Sequence, residues 1–134
     1  MKSSLQALCR RMQELGVDGY WVSSPVNVRY LSGFTGEDST LVAGADGSSF
    51  LITDSRFMEQ ARREADVEEL ICREDSMTDA VEQVCRDAGI SSLGLTSRRV
   101  SYYEWSKLNE ATGLRLEALD RGLPEELRVS KSAA

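Results

Sequence analysis

The sequence contains no histidine. That absence removes Ser-His and Cys-His nucleophile pairs and every metal site that needs an imidazole ligand. Acid–base work by Asp and Glu, or an all-carboxylate metal site, survives. Cysteine is scarce: Cys9, Cys72 and Cys85 are odd in number, far apart and never in C-x-x-C spacing, which argues against a disulfide framework and a zinc knuckle. Each falls on an apolar face of the pattern below, so buried free thiols are expected. Long apolar runs are missing as well. The opening MKSSLQALCRRMQELG carries two Arg and a Glu where a signal peptide needs unbroken apolar residues, and no later window approaches a membrane span. A cytoplasmic protein is expected. Nor is there a basic surplus: 16 Lys and Arg stand against 22 Asp and Glu, a net charge of -6. Nucleic acid and membrane surfaces are therefore not expected partners. Gly33-Phe34-Thr35-Gly36 lacks both the G-x-G-x-x-G pattern and the Lys-Ser/Thr of a phosphate-binding loop.

What is present fits one globular domain. The 134 residues are 41% hydrophobic and 28% charged, a size at which roughly two thirds of the unfolded surface is buried. Leu5, Leu8, Cys9, Met12 and Leu15 recur at helical spacing, and Gly16 is placed to end that helix. Tyr20, Trp21 and Val22 predict a buried strand. Ser24-Pro25 opens a second helix, with Ser24 as its cap, Val26, Tyr30 and Leu31 inward, and Gly33 as its stop. Residues 40–43 and 49–53 form a hairpin about Asp46-Gly47.

Asp54 then caps a helix carrying Phe57, Met58, Ala61 and Ala65, and residues 67–72 return as a strand. Met77, Ala80, Val81, Val84, Cys85 and Ala88 fit a helix opened by Ser76 and closed near Gly89. A brief strand over 93–95 precedes a helix opened by Ser101 and Glu104 and ended by Thr112-Gly113, and residues 114–119 alternate as a half-buried strand. This alternation predicts an α/β domain with a mixed sheet covered by helices. From residue 122, GLPEELRVSKSAA opens a helix at Leu123-Pro124 and loses its apolar period. It is expected to be a linker cut short.

Several features invite a functional reading. Adjacent carboxylates on a strand point to opposite faces, so Glu68-Glu69 cannot make a matched acid and base, and both that pair and Glu125-Glu126 are expected on solvated surface. Asp54 and Arg56 read more simply as a helix cap beside a surface Arg than as a functional ion pair. Tyr102 and Tyr103, with Trp105, are expected in the core rather than on a partner surface. The glycine-stopped helix followed by Phe34, Thr35, Gly36, Glu37 and Asp38 is harder to dismiss. It leaves a loop at the sheet edge, where α/β scaffolds collect contact groups, with Arg29 and Phe34 as the foremost contact residues.

The series SPVNVRYLSGFTG, LVAGADGSSFLITDSRFMEQA, GISSLGL, SYYEWSKL and LPEELRVSKS resembles, in order and over nearly the whole chain, the N-terminal domain of Xaa-Pro aminopeptidases and Xaa-Pro dipeptidases, which creatinase shares. The resemblance implies a creatinase/prolidase-type fold with a ribonuclease H-like motif over residues 1–121. Residues 122–134 would start the linker to a C-terminal pita-bread domain, whose dinuclear centre (Mn, Co or Zn) is built from two Asp, one His and two Glu. None of those ligands can be matched here, so this chain is expected to hold no catalytic residue, metal or cofactor of its own. It also implies a homodimer of a metallopeptidase cleaving Xaa-Pro peptides, in which this domain docks on its own catalytic domain. The loop would then face the substrate entrance or the dimer interface, through Arg29, Phe34, Thr35, Glu37 and Asp38. Residues 33–39 contain no Arg, which tilts the expectation from a creatinase-like amidinohydrolase towards a proline peptidase. A stand-alone interaction module of the same fold is the other reading.

Overall fold

A computed structural model describes residues 3–111, 113–119 and 122–133, the side chains of 129–133 excepted. Its elements run α1 (Ser3–Leu15), β1 (Gly19–Val22), α2 (Pro25–Ser32), β2 (Thr40–Gly44), β3 (Ser49–Thr53), α3 (Met58–Glu64), β4 (Glu69–Cys72), α4 (Met77–Ala88), β5 (Ser92–Thr96), α5 (Tyr102–Asn109), β6 (Arg115–Leu119) and α6 (Leu123–Ala133). The strands form one mixed sheet in the order β4-β3-β2-β1-β5-β6. β1, β2 and β3 pair antiparallel, while β1–β5, β5–β6 and β3–β4 are parallel.

Alternation along the strands divides the core in two. Tyr20, Val22, Leu41, Ala43 and Leu51 face a layer built by α1, α2, α3 and α6, with Leu5, Leu8, Met12, Leu31 and Leu123. Trp21, Val42, Ile52, Leu93 and Leu95 face α4 and α5, with Val81, Val84, Cys85 and Leu108. Each fully buried Leu in these layers contributes roughly 1.5–3 kcal/mol. Trp21 also satisfies its indole N–H, which donates to Thr40 Oγ1, whose hydroxyl donates in turn to the Val22 carbonyl at 2.8 Å.

Local signals held where the responsible groups are neighbours. Gly33 takes φ 84° and donates its N–H to the Arg29 carbonyl, and Ser101 with Glu104 forms a complete capping box. Gly113 has φ 83°, whereas Thr112 lies outside the described residues.

Other expectations are corrected. Ser24 makes no side-chain cap; its carbonyl accepts the Val28 N–H instead. The buried stripe of α2 is Asn27, Val28, Leu31 and Ser32, and Val26 is exposed. Asn27 and Ser32 can turn inward because their side chains find partners there: Asn27 Nδ2 donates to Glu125, and Ser32 Oγ donates to the Val28 carbonyl. β4 begins at Glu69 rather than Val67, since the Glu68 N–H is taken by Ser49 Oγ. Cys9 and Cys85 are buried but Cys72 is exposed, at the end of an edge strand. Tyr102 and Tyr103 are 84% and 66% exposed and Trp105 only partly buried, so the first turn of α5 faces solvent. Residues 123–133 are helical, and the first turns of α6 pack against the domain through Leu123 and Leu127.

Candidate functional site

The loop over residues 33–39 follows α2 and is tied down on both sides. Gly33 reverses the chain, and Phe34 drops into the core at 1% exposure. Gly36 then passes across the Phe34 ring so closely that a Cβ there would stand 2.2 Å from Phe34 Cζ; only a residue without a side chain fits this crossing. Thr35 donates both its N–H (2.9 Å) and its hydroxyl (2.8 Å) to Glu64 Oε1 on α3, and Gln60 Nε2 donates to Thr35 Oγ1 at 3.1 Å. The Thr35 amide, with its hydroxyl second, holds the Glu64 carboxyl below the usual glutamate range.

At the other side Asp38 has φ 49°, uncommon for a residue with a side chain. Arg56 Nη2 reaches both Asp38 Oδ2 and Asp54 Oδ2 at 2.7 Å, while Asp54 Oδ1 accepts the Arg56 backbone N–H at 3.0 Å. Asp54 therefore caps the short turn that leads into α3 and forms an ion pair as well, so the two readings of LITDSRF coexist. The Arg56 guanidinium lowers the Asp54 pKa, and Asp54 with Asp38 raises that of Arg56.

The five residues singled out from the sequence divide accordingly. Thr35 and Asp38 are exposed and bind the chain's own side chains. Arg29 and Glu37 are exposed. Phe34 is corrected: its ring is a core group that anchors the loop, and it offers no contact surface.

A second constellation escaped the sequence reading. β1 leads to α2 on one face of the sheet and the parallel β5 leads to α5 on the other, which creates the crevice at strand carboxyl ends where α/β sheets commonly bind ligands. There the Leu123 N–H donates to Tyr20 Oη (3.3 Å), Tyr20 Oη pairs with Thr96 Oγ1 (2.9 Å) and Thr96 Oγ1 donates to Glu125 Oε1 (3.0 Å). Because Thr96 gives its proton to the carboxylate, Tyr20 must be the donor to Thr96, and the chain is ordered from end to end. Asn27 Nδ2 donates to Glu125 Oε2, and Arg99 Nε lies 3.7 Å from it.

Burial pushes the Tyr20 hydroxyl up to about 12. Gly122 is backed against this cluster, since a Cβ would fall 1.8 Å from Thr96 Oγ1. Glu125, expected on solvated surface, has a side chain only 14% exposed. A Tyr on the inner face of a buried strand demands a hydroxyl partner, and that was the available signal; the partner's identity was not.

Comparison with known proteins completes the site's context. Residues 5–129 match the Creatinase/Prolidase N-terminal domain. The chain belongs to that family. This creatinase/prolidase domain is 34% identical over 98 residues to a Bacillus subtilis (strain 168) protein described as "Uncharacterized peptidase YqhT", covering 73% of this chain and 28% of that one. It superposes with a TM-score of 0.87 and 27% identity on the N-terminal domain of the cytoplasmic peptidase PepQ from Mycobacterium tuberculosis H37Rv, covering 96% of this chain and all (100%) of the other. An Xaa-Pro dipeptidase from Bacillus anthracis gives 0.81 and 25% identity over 87% of this chain and 33% of its own. The chain thus spans 28% and 33% of these two longer relatives.

The two-metal centre implied by the resemblance does not fit the residues described here. Among them no three Cys, Asp or Glu side chains gather as ligands. The paired carboxylates of Asp38 and Asp54 are already neutralised by Arg56.

Proposed function

We propose that this chain is the non-catalytic N-terminal domain of a cytoplasmic metallopeptidase acting on Xaa-Pro peptides. In that protein it docks on its own catalytic domain, takes part in a homodimer and shapes the entrance to the catalytic site. Residues 1–121 form the domain proper, and residues 122–134 lead towards the catalytic pita-bread domain, where a pair of Mn, Co or Zn ions is held. The observation that carries this reading is the family match over residues 5–129 in a chain spanning a third of an Xaa-Pro dipeptidase. The fastened loop supports it: Phe34, Glu64 and Arg56 fix its path, while the exposed Arg29 and Glu37 remain available for contact. The exposed Tyr102 and Tyr103 suit a partner-facing surface, where aromatic residues are enriched.

The test is a chimera in which this domain replaces the N-terminal third of the Bacillus anthracis dipeptidase. The chimera is expected to dimerise and to hydrolyse Xaa-Pro substrates, and Glu37→Ala or Arg29→Ala in it to raise KM without moving the denaturation midpoint. Kinetics indifferent to both substitutions would refute the entrance role.

A further inference from the structure

β4 lies at the edge of the sheet and, among the described residues, pairs with β3 alone, so one row of its N–H and C=O groups has no ladder partner among them. Beside it, the turn after Cys72 and one side of α4 enclose a groove of about 350 Å³. Ile71, Ala80 and Val84 line it with apolar surface, and Glu74, Asp75, Asp79 and Asp87 line it with carboxylates. Among the described residues the side chains of Glu74, Asp75 and Asp79 have no hydrogen-bond or ion-pair partner, while Asp87 accepts from Gln83.

The positive charge at hand is committed elsewhere. Arg73 places Nη2 3.7 Å from Asp54 and donates Nη1 to the Asp75 carbonyl, leaving its buried Nε with no acceptor. The groove therefore offers an open strand edge, an apolar floor and an acidic rim.

Charge selects among occupants. A second copy pairing β4 to β4 would crowd the carboxylates of Glu69, Glu74 and Asp75 from both copies along one seam, which like-charge repulsion opposes. A polyanion is opposed by the same rim. An extended polypeptide with apolar side chains between basic ones meets all three features.

We propose that the β4 edge and the acidic groove beside it bind an extended basic peptide segment by strand addition. An apolar side chain seats on Ile71, Ala80 and Val84, and flanking Lys or Arg side chains meet Glu74, Asp75 and Asp79. This site is independent of the peptidase reading.

The probe is the acetylated, amidated peptide Lys-Val-Lys-Val-Lys, with its glutamate counterpart and an N-methylated-valine analogue as controls, titrated into the ¹⁵N-labelled chain. The lysine peptide is expected to give saturable shifts confined to residues 69–75 and 79–87, weakening as salt rises. The glutamate and N-methylated peptides are expected not to bind. The double variant Glu74→Lys/Asp75→Lys, at two exposed side chains without partners, is expected to weaken the lysine peptide about tenfold or more and to accept the glutamate peptide. Any of four results overturns the proposal: no saturation by the lysine peptide at millimolar concentration, shifts elsewhere, equal binding of the N-methylated peptide, or indifference to the charge reversal. Concentration-dependent shifts at residues 69–72 without peptide would likewise overturn it, in favour of a second copy.

Discussion

Two excursions of the chain are fastened to the same sheet by opposite means. The 33–39 loop is held at the surface by Glu64 on Thr35 and Arg56 on Asp38, groups in water. The start of α6 is held inside, by the ordered chain Leu123–Tyr20–Thr96–Glu125 and by Asn27. Solvated ion pairs contribute little and respond to salt and pH. Buried, mutually bonded polar groups contribute through the high cost of breaking them, because each lost partner strands another group away from water. The Thr35 and Asp38 fastenings are thus adjustable while the root of α6 is not.

The sharpest way to break this contrast is Glu125→Ala. It leaves Asn27 Nδ2 and Thr96 Oγ1 without their acceptor and is expected to cost about 2–3 kcal/mol in urea denaturation. Next is Gly36→Ala, which drives a methyl into the Phe34 ring and is expected to cost about 2 kcal/mol by overpacking, showing that the loop's Phe34 anchor obeys the interior rule.

Tyr20→Phe should cost about 1 kcal/mol and also alter the alkaline profile. Tyr20 and Cys85 are both raised to about 12 by burial, so the stability they contribute is complete below their unfolded values, near 10 and 8.5, and is lost as pH rises towards 12. The Phe variant is expected to flatten part of that loss.

The smallest global effect is expected from Arg56→Ala: a denaturation midpoint close to the parent, with faster amide exchange confined to residues 34–39. Acid should act the same way. The Glu64 pKa is lowered by Thr35, so its contact is fully present above the unfolded glutamate value and is lost as pH falls through the lower native one. Loop exchange should therefore rise before global unfolding begins.

Sequence alone revealed what neighbours decide. The Asp46-Gly47 hairpin, the Gly33 stop and the Ser101 capping box each involve residues within four positions, and each is present. The clamp on the loop is half legible, since Asp54 reads as a cap, but Glu64 lies 29 residues from Thr35 and leaves no local trace. The interior chain was invisible because its bonds span 76 and 103 residues. Asn27 and Ser32, polar by composition, turned the inner face of α2 away from where apolar periodicity set it. Glu125 misled for the same reason: a carboxylate reads as surface until its partners are in view.

The role proposed for this domain is to shape and position rather than to cleave. Its most direct test is to incubate the purified chain with an Xaa-Pro dipeptide and Mn²⁺, Co²⁺ or Zn²⁺ and to follow release of proline. No turnover above the metal-only control is predicted; hydrolysis that copurifies with the protein through successive columns would contradict it.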